Sequence, residues 1–336
     1  MRRVRVLTTA ALTATLLTAC VRSVDVGPTD SPAPVSTSST TSSSTTTSGT
    51  STSSSTTTSG TSTSSSTTSS PSLNETELPG TLRVGISFDQ PGVGLREADT
   101  YSGLDADVAR YIARYLGISR ITFVEAQTDQ RETLLATGQV DLVLAAYSIT
   151  PERADQITFA GPYLTTGQDL LVPTTSRIRK PSQLSGSTVC SVQGSQSTTE
   201  LVANYPGLHL TVRPRISDCV DLLKRDKVDA VTSDAAILAG FARASTPPDE
   251  WRTSGKPFTR ERWGVAMRRE DTTLCKDVRD ALAAMVEDGE WKRSVRDNLG
   301  TVKQIGKRTA TPPKLQACPE PRPASTSSSD GSPSSS

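Results

Sequence analysis

One segment of this chain is written twice, and the repetition restricts its fold more than any other feature. Gly-Gln-Val-Asp-Leu-Val at 138–143 and Asp-Lys-Val-Asp-Ala-Val at 226–231 each read as a helix end, a turn, a Val-Asp pair and a buried strand. Around each copy the apolar periodicity alternates between strand and helix. In the first half, strands are expected over 82–86, 121–124 and 141–145, with helices over 105–116 and 131–138. Val108, Ile112 and Leu116 recur at about one turn, and Gly138 ends the second helix. The run at 141–145 is continuously apolar, as in a strand buried on both faces of a parallel sheet. In the second half, strands over 188–192, 210–212 and 228–231 alternate with helices over 197–205, 217–225 and 234–243. A strand over 263–267 returns to the first half, and amphipathic helices follow over 277–289 and 291–299. The expected fold is α/β, in two similar lobes. A cleft between such lobes, outside the carboxyl ends of the strands, is where small ligands bind.

The ends of the chain do not belong to that fold. Arg2, Arg3 and Arg5 precede a short apolar stretch that stops at Leu-Thr-Ala-Cys, 17–20. A basic start, a short apolar run and small residues before a break are secretory-signal features. The run falls short of the ~20 apolar residues of a membrane span. Residues 20–77 are dominated by Ser and Thr, and the block STTTSGTSTSS occurs at 44–54 and again at 55–65. Such a segment cannot bury enough apolar surface to offset its ordering entropy, so a flexible tether is expected. A similar tail is expected over 319–336. Lysine and arginine total 36 against 35 acidic residues, and no basic patch with interleaved aromatics occurs, so nucleic acid is not expected as a partner.

Beyond Cys20 four cysteines remain: Cys190, Cys219, Cys275 and Cys318. In a secreted chain an even number suggests disulfides. Four cysteines allow three pairings; Cys190–Cys219 with Cys275–Cys318 is favoured, and the second bond stays open. None has C-x-x-C spacing, and His209, the single histidine, sits in a short strand-like run. No metal, no cofactor and no Cys-His nucleophile pair is therefore expected.

Several ordered pieces carry a resemblance. They are Tyr-Ser-Gly-Leu-Asp-Ala-Asp-Val-Ala (101–109), Gly-Gln-Val-Asp-Leu-Val (138–143), Ser-Ile-Thr-Pro-Glu-Arg (148–153), Phe-Ala-Gly-Pro-Tyr (159–163), Val-Asp-Ala-Val-Thr-Ser-Asp (228–234) and Trp-Gly-Val-Ala-Met (263–267). In this order they resemble the amino-acid-binding family, family 3, of ABC-transporter solute-binding proteins. The stretch 85–96, with the cysteine pair, is similar to glutamate-type binding lipoproteins of high-GC Gram-positive bacteria. The resemblance implies a two-lobed, type II periplasmic-binding-protein-like fold with a two-strand hinge near 170–173 and 263–266. Lobe 1 would take 78–172 and 263–318, and lobe 2 would take 173–262. It implies a monomer that hands an amino acid to a membrane permease. Leu-Thr-Ala-Cys is similar to a lipobox, which implies cleavage after 19 and a lipid anchor on Cys20 at the extracytoplasmic face of the cell membrane.

The resemblance also implies a ligand set. A free amino acid carries a carboxylate and an ammonium, and burying both requires compensation for lost hydration. The planar fork of arginine suits a carboxylate, and Arg153 stands at the family position that grips it. Ser148 and the backbone of Ala146 are at hydrogen-bonding positions, although the family often has glycine at Ala146. Asp234 matches the ammonium-binding aspartate, and it also reads as a helix N-cap. Ser195, Gln196 and Ser197 lie at a strand-to-helix turn whose free N–H groups suit a carboxylate. Thr128 and Arg131 match a segment that contacts side-chain carboxylates in acidic-ligand members; Arg131 reads equally as a solvated helix residue. Arg96 is a second candidate cation. Ser87 stands where some acidic-ligand members carry a basic residue, which leaves glutamine or asparagine open beside glutamate and aspartate. A sensor lobe with the same cleft is the rival reading. An enzyme on this fold is not expected, because no acid or base stands out beyond Asp234.

Overall fold

The computed structural model describes residues 80–320. The expected leader, Cys20, the Ser/Thr tether and nearly all of the tail lie outside the described residues. The chain opens with β1 (Thr81–Ile86), then β2 (Asp89–Gln90), β3 (Gly94–Glu97) and β4 (Thr100–Ser102). Next come α1 (Leu104–Tyr115), β5 (Arg120–Glu125), α2 (Arg131–Ala136), β6 (Leu142–Val143), the one-turn α3 (Pro151–Ala154) and β7 (Thr158–Thr166). The second half holds β8 (Gln168–Pro173), β9 (Thr188–Val192), α4 (Gln196–Asn204), β10 (His209–Arg213), α5 (Ile216–Lys224), β11 (Ala230–Asp234), α6 (Ala235–Arg243) and β12 (Trp251–Thr253). The chain then returns through β13 (Glu261–Met267) to α7 (Thr272–Glu287), α8 (Glu290–Leu299) and α9 (Val302–Thr309).

Two five-stranded sheets result, ordered β5-β1-β6-β13-β7 and β10-β9-β11-β8-β12. In the first, β1 runs parallel to β5 and β6, and β13 is antiparallel to both β6 and β7. In the second, β9 runs parallel to β10 and β11, and β8 is antiparallel to β11 and β12. Strands β2–β4 form a separate three-stranded meander. Of the parallel strands read from the sequence, the central β1, β6, β9 and β11 are largely buried, as continuous apolar runs require, whereas the edge strands β5 and β10 are partly exposed. Helix α1 buries Leu104, Val108 and Ile112 completely, and each such side chain contributes about 1.5–3 kcal/mol. Trp263, Trp291, Tyr147 and Tyr163 are the bulkiest fully buried side chains.

The structure moves the hinge. Residues 170–173 were expected to cross between the lobes, but β8 pairs with β11 and β12 inside the second sheet. Likewise 263–266 pairs with β7 inside the first. The crossings lie at Gly167 and at about Thr259, a few residues away, because continuously apolar strand residues belong in sheet interiors. The second sheet thus begins at Gln168, not at 173. The two crossings touch: Gln168 N–H donates to Thr259 Oγ1 at 2.8 Å, and Phe258 N–H to the Gln168 carbonyl at 2.9 Å. A Cβ on Gly167 would sit 2.4 Å from the Thr259 carbonyl oxygen, so only glycine fits there.

Both disulfides form as favoured. Cys190–Cys219 ties β9 to α5 with Cα atoms 5.4 Å apart, and Cys275–Cys318 ties α7 to the C-terminal strap at 6.0 Å. The strap is also held where Gln316 N–H donates to the Gly161 carbonyl at 2.7 Å. The Cys275–Cys318 bond closes a loop of 43 residues, for which loop-closure entropy predicts a contribution of about 4 kcal/mol. Equilibrium urea unfolding of a Cys275→Ala/Cys318→Ala variant should show a loss of that order.

Candidate functional site

A cavity of about 40 Å³ lies between the two sheets. The first lobe contributes Gln90, Thr128, Arg131, Ala145, Ala146, Ser148 and Arg153. The second contributes Val192, Ser195, Gln196, Ser197, Ile216, Ser233, Asp234 and Ile237.

Arg153 is carried by α3, whose N-cap Thr150 accepts from the Arg153 N–H. Its Nη1 donates to the Ser148 carbonyl at 2.9 Å, and its Nη2 reaches across the cleft to the Gly194 carbonyl at 3.1 Å. Arg131, at the start of α2, is 3% exposed. Its Nε donates to the Thr128 carbonyl at 2.9 Å and its Nη1 to the Ala145 carbonyl at 3.2 Å. Both guanidiniums lie over the Tyr147 ring, 3.9 Å from its centroid for Arg131 and 4.9 Å for Arg153. The aromatic face attracts the cations, and the Tyr147 hydroxyl donates in turn to the Glu132 carboxylate. The ion pairs among the described residues include neither arginine. Burial, and then the charge of Arg153, pull the Arg131 guanidinium down to about 10.

Asp234 ends β11 and occupies the N-cap position of α6, yet its side chain does not cap that helix. Its Oδ2 instead accepts from Trp263 Nε1 at 2.5 Å, across the hinge. Burial, and then the charge of Glu261, push its carboxyl up to about 7, against the opposing effects of Trp263, Arg153 and Arg131. Ser195 is the N-cap of α4, its hydroxyl accepting from the Thr198 N–H at 3.1 Å. The Gln196 and Ser197 N–H groups that follow make no backbone hydrogen bond among the described residues, leaving an anion-favouring helix terminus on the cavity wall. Gln168 Nε2 braces this turn through the Ser197 carbonyl at 3.0 Å.

Ala146 has φ +48°, in the left-handed region that favours glycine. A buried network holds it there. Its N–H donates to Asp105 Oδ2 at 3.0 Å, and the Tyr163 hydroxyl donates to Asp105 Oδ1 at 2.6 Å. Burial raises the Asp105 carboxyl to about 7.

Nine of the eleven expected ligand residues thus line one cavity: Arg153, Asp234, Ser148, Ala146, Ser195, Gln196, Ser197, Arg131 and Thr128. Ser87 lines an adjoining cavity that shares Gln90, Thr128, Val192 and Ile216 with the first. Arg96 is not brought to either. It lies on β3, its Nε donating to the Ala98 carbonyl at 2.9 Å and its guanidinium over Phe88 and Tyr101. The meander turns it away from the cleft, which sequence spacing alone could not reveal. His209 is exposed at the start of β10. Gln90, Ala145, Ser233 and the apolar Val192, Ile216 and Ile237 were missed; Gln90 and Ser233 lie inside the stretches 85–96 and 228–234 but carry no charge to mark them there. Among the described residues no cluster of His, Cys, Asp and Glu could hold a metal ion, and no helix is long and apolar enough to cross a membrane.

Across the cleft the lobes are in contact. Arg215 pairs with Glu125 at 2.6 Å, and Asp89 Oδ2 accepts from the Ser217 N–H in the first turn of α5 at 3.1 Å. This closed arrangement joins cations from one lobe to a carboxylate and a helix terminus from the other.

The model of the bacterial extracellular solute-binding proteins, family 3, matches residues 82–301. The chain is 37% identical over 238 residues to the glutamate-binding protein GluB of Corynebacterium efficiens, covering 67% of this chain and 81% of that protein. It is 31% identical over 212 residues to the ABC transporter glutamine-binding protein GlnH of Bacillus subtilis, covering 62% and 80%. Among solved structures, an ancestral arginine-binding protein bound to glutamine superposes with a TM-score of 0.63 at 29% identity, covering 67% of this chain and 100% of that one.

The Asp234 shift has a sign. With an ordinary value of 3.8 and a folded value of about 7, the folded protein holds a proton in between that the unfolded chain has lost. Its contribution to stability is full below the ordinary value and is lost as pH rises through the folded one. Carboxyl ¹³C NMR titration should place the Asp234 midpoint near 7, and Glu261→Gln should lower it.

Proposed function

We propose that this chain, which belongs to family 3 of the bacterial extracellular solute-binding proteins, captures an acidic amino acid in its cleft and presents it to the permease of an ABC transporter. The charge balance of the cavity carries this reading. Two arginines outside any ion pair face one aspartate, so with Asp234 ionised by the ligand's ammonium the lining holds an excess of one positive charge. A dicarboxylic amino acid, with two carboxylates and one ammonium, neutralises it. A neutral amino acid would leave one buried cation without a counter-charge, which is costly.

The α-carboxylate takes Arg153, Ser148 and the α4 terminus. The ammonium takes Asp234 and the Ala146 backbone. The distal carboxylate takes Thr128 and Arg131, whose Nη2 makes no hydrogen bond to the protein among the described residues. Contacts to both lobes are complete only when the lobes are closed, so the ligand favours the closed form. Micromolar affinity corresponds to about −8 kcal/mol, within reach of a few charge-assisted bonds in a dry cleft. The relatives support capture of glutamate or glutamine. Glutamine is the second reading, favoured by the uncharged Ser87 beside the cavity. The ligand leaves unchanged, because Asp234, the cavity's one carboxylate, is engaged by Trp263 and faces an ammonium. The protein acts as a monomer, lipid-anchored through Cys20 at the outer face of the membrane, with the Ser/Thr segment as its tether.

Titration calorimetry against the twenty amino acids tests the reading: glutamate or aspartate should bind, and no binding by any of them would sink it. Arg153→Ala should weaken every ligand by more than about 100-fold, whereas Arg131→Met should weaken the acidic ligand and spare glutamine. In cells, Cys20→Ser should move the protein from the membrane fraction to the medium.

A further inference from the structure

We propose that Gln90 reads the far end of the ligand side chain, its carboxamide hydrogen-bonding the distal polar group. This rests on the reading of the cleft as an amino-acid site and adds a residue of the 85–96 stretch to which no role was assigned from sequence. Gln90 closes β2 and is 7% exposed. It lines both the main cavity and the adjoining one, with Thr128, Val192 and Ile216. Its Oε1 is buried and has no hydrogen-bond partner among the described residues. A buried carboxamide that has lost its hydration without replacement is destabilising. The apolar Val192 and Ile216 beside it cannot supply the missing bonds.

The charged groups along that wall are occupied or lie elsewhere. Arg215 is paired with Glu125, Asp89 accepts from the Ser217 N–H, and Arg96 lies elsewhere. Gln90 is the buried carboxamide there, with acceptor capacity to spare. A half-turn of its terminal bond exchanges carbonyl and amino group. The same residue donates to a distal carboxylate or accepts from a distal amide. Gln90 thus selects for a polar terminus, while Arg131 decides its charge.

Calorimetry of the full chain with L-glutamate and L-norvaline, which has the same carbon chain but no distal carboxylate, separates these roles. Gln90→Met, similar in shape and without the amide, should weaken L-glutamate about 10- to 100-fold and leave L-norvaline within about twofold. Gln90→Glu, which places a like charge against the carboxylate, should shift preference from L-glutamate toward L-glutamine. Equal loss of both probes in Gln90→Met, or loss of neither, overturns the assignment, since a merely structural role would weaken them together. A wild-type protein that binds neither probe overturns the underlying functional reading, and the assignment with it.

Discussion

Two guanidiniums stacked on one phenol ring, Arg131 buried and Arg153 half-buried, set the terms for the rest of this cleft. Removing a cation from water is costly unless something replaces its hydration. Here Tyr147 supplies an aromatic face, and the carbonyls of Thr128, Ala145 and Ser148 supply acceptors. Neither cation forms a close ion pair with a carboxylate among the described residues. The protein thus holds positive charge in the cleft outside any close ion pair. A salt bridge built into the same place would have been more comfortable for the apo protein and useless for recognition.

The hinge couples to that site through two contacts. Trp263, on the returning strand, donates to Asp234 at the end of β11. Gln168, just past the first crossing, braces the α4 terminus and also donates to Thr232. The groups that would hold a ligand's ammonium and carboxylate are therefore attached to the strands about which the lobes turn. Gly167 allows those strands to pass at backbone contact, and the register of both sheets continues on either side.

Much of this was legible in the sequence, for physical reasons. The parallel strands β1, β5, β6, β9, β10 and β11 are short apolar runs beside periodic helices, and each was anticipated. Most of the cavity lining followed from ordered motifs, because strand ends and helix starts aim their residues at the cleft. Short polar strands carry no periodicity, so β2–β4 and β12 were not seen, and with them went the true position of Arg96. Gln90 sits in that same meander; as an isolated polar residue it had no signal until the fold enclosed it. The hinge was misplaced because apolar runs mark sheet interiors, whereas crossings are marked by small and polar residues such as Gly167 and Thr259. Helix α9 and the C-terminal strap were also missed. Ala146 shows the opposite case: a departure from the family's glycine that the structure explains by a left-handed backbone held by Asp105.

The strand order of the first sheet carries a consequence for biogenesis. β13 lies between β6 and β7, although the whole second lobe separates it from them along the chain. The sheet cannot close as the chain is made: a central strand is missing until the last quarter emerges, and the Cys275–Cys318 staple comes later still. Pairings this distant in sequence are slow to form. For a protein that works outside the cytoplasm, slowness is an advantage, because an unfinished sheet leaves the polypeptide threadable until export has delivered it to the compartment where its disulfides can form.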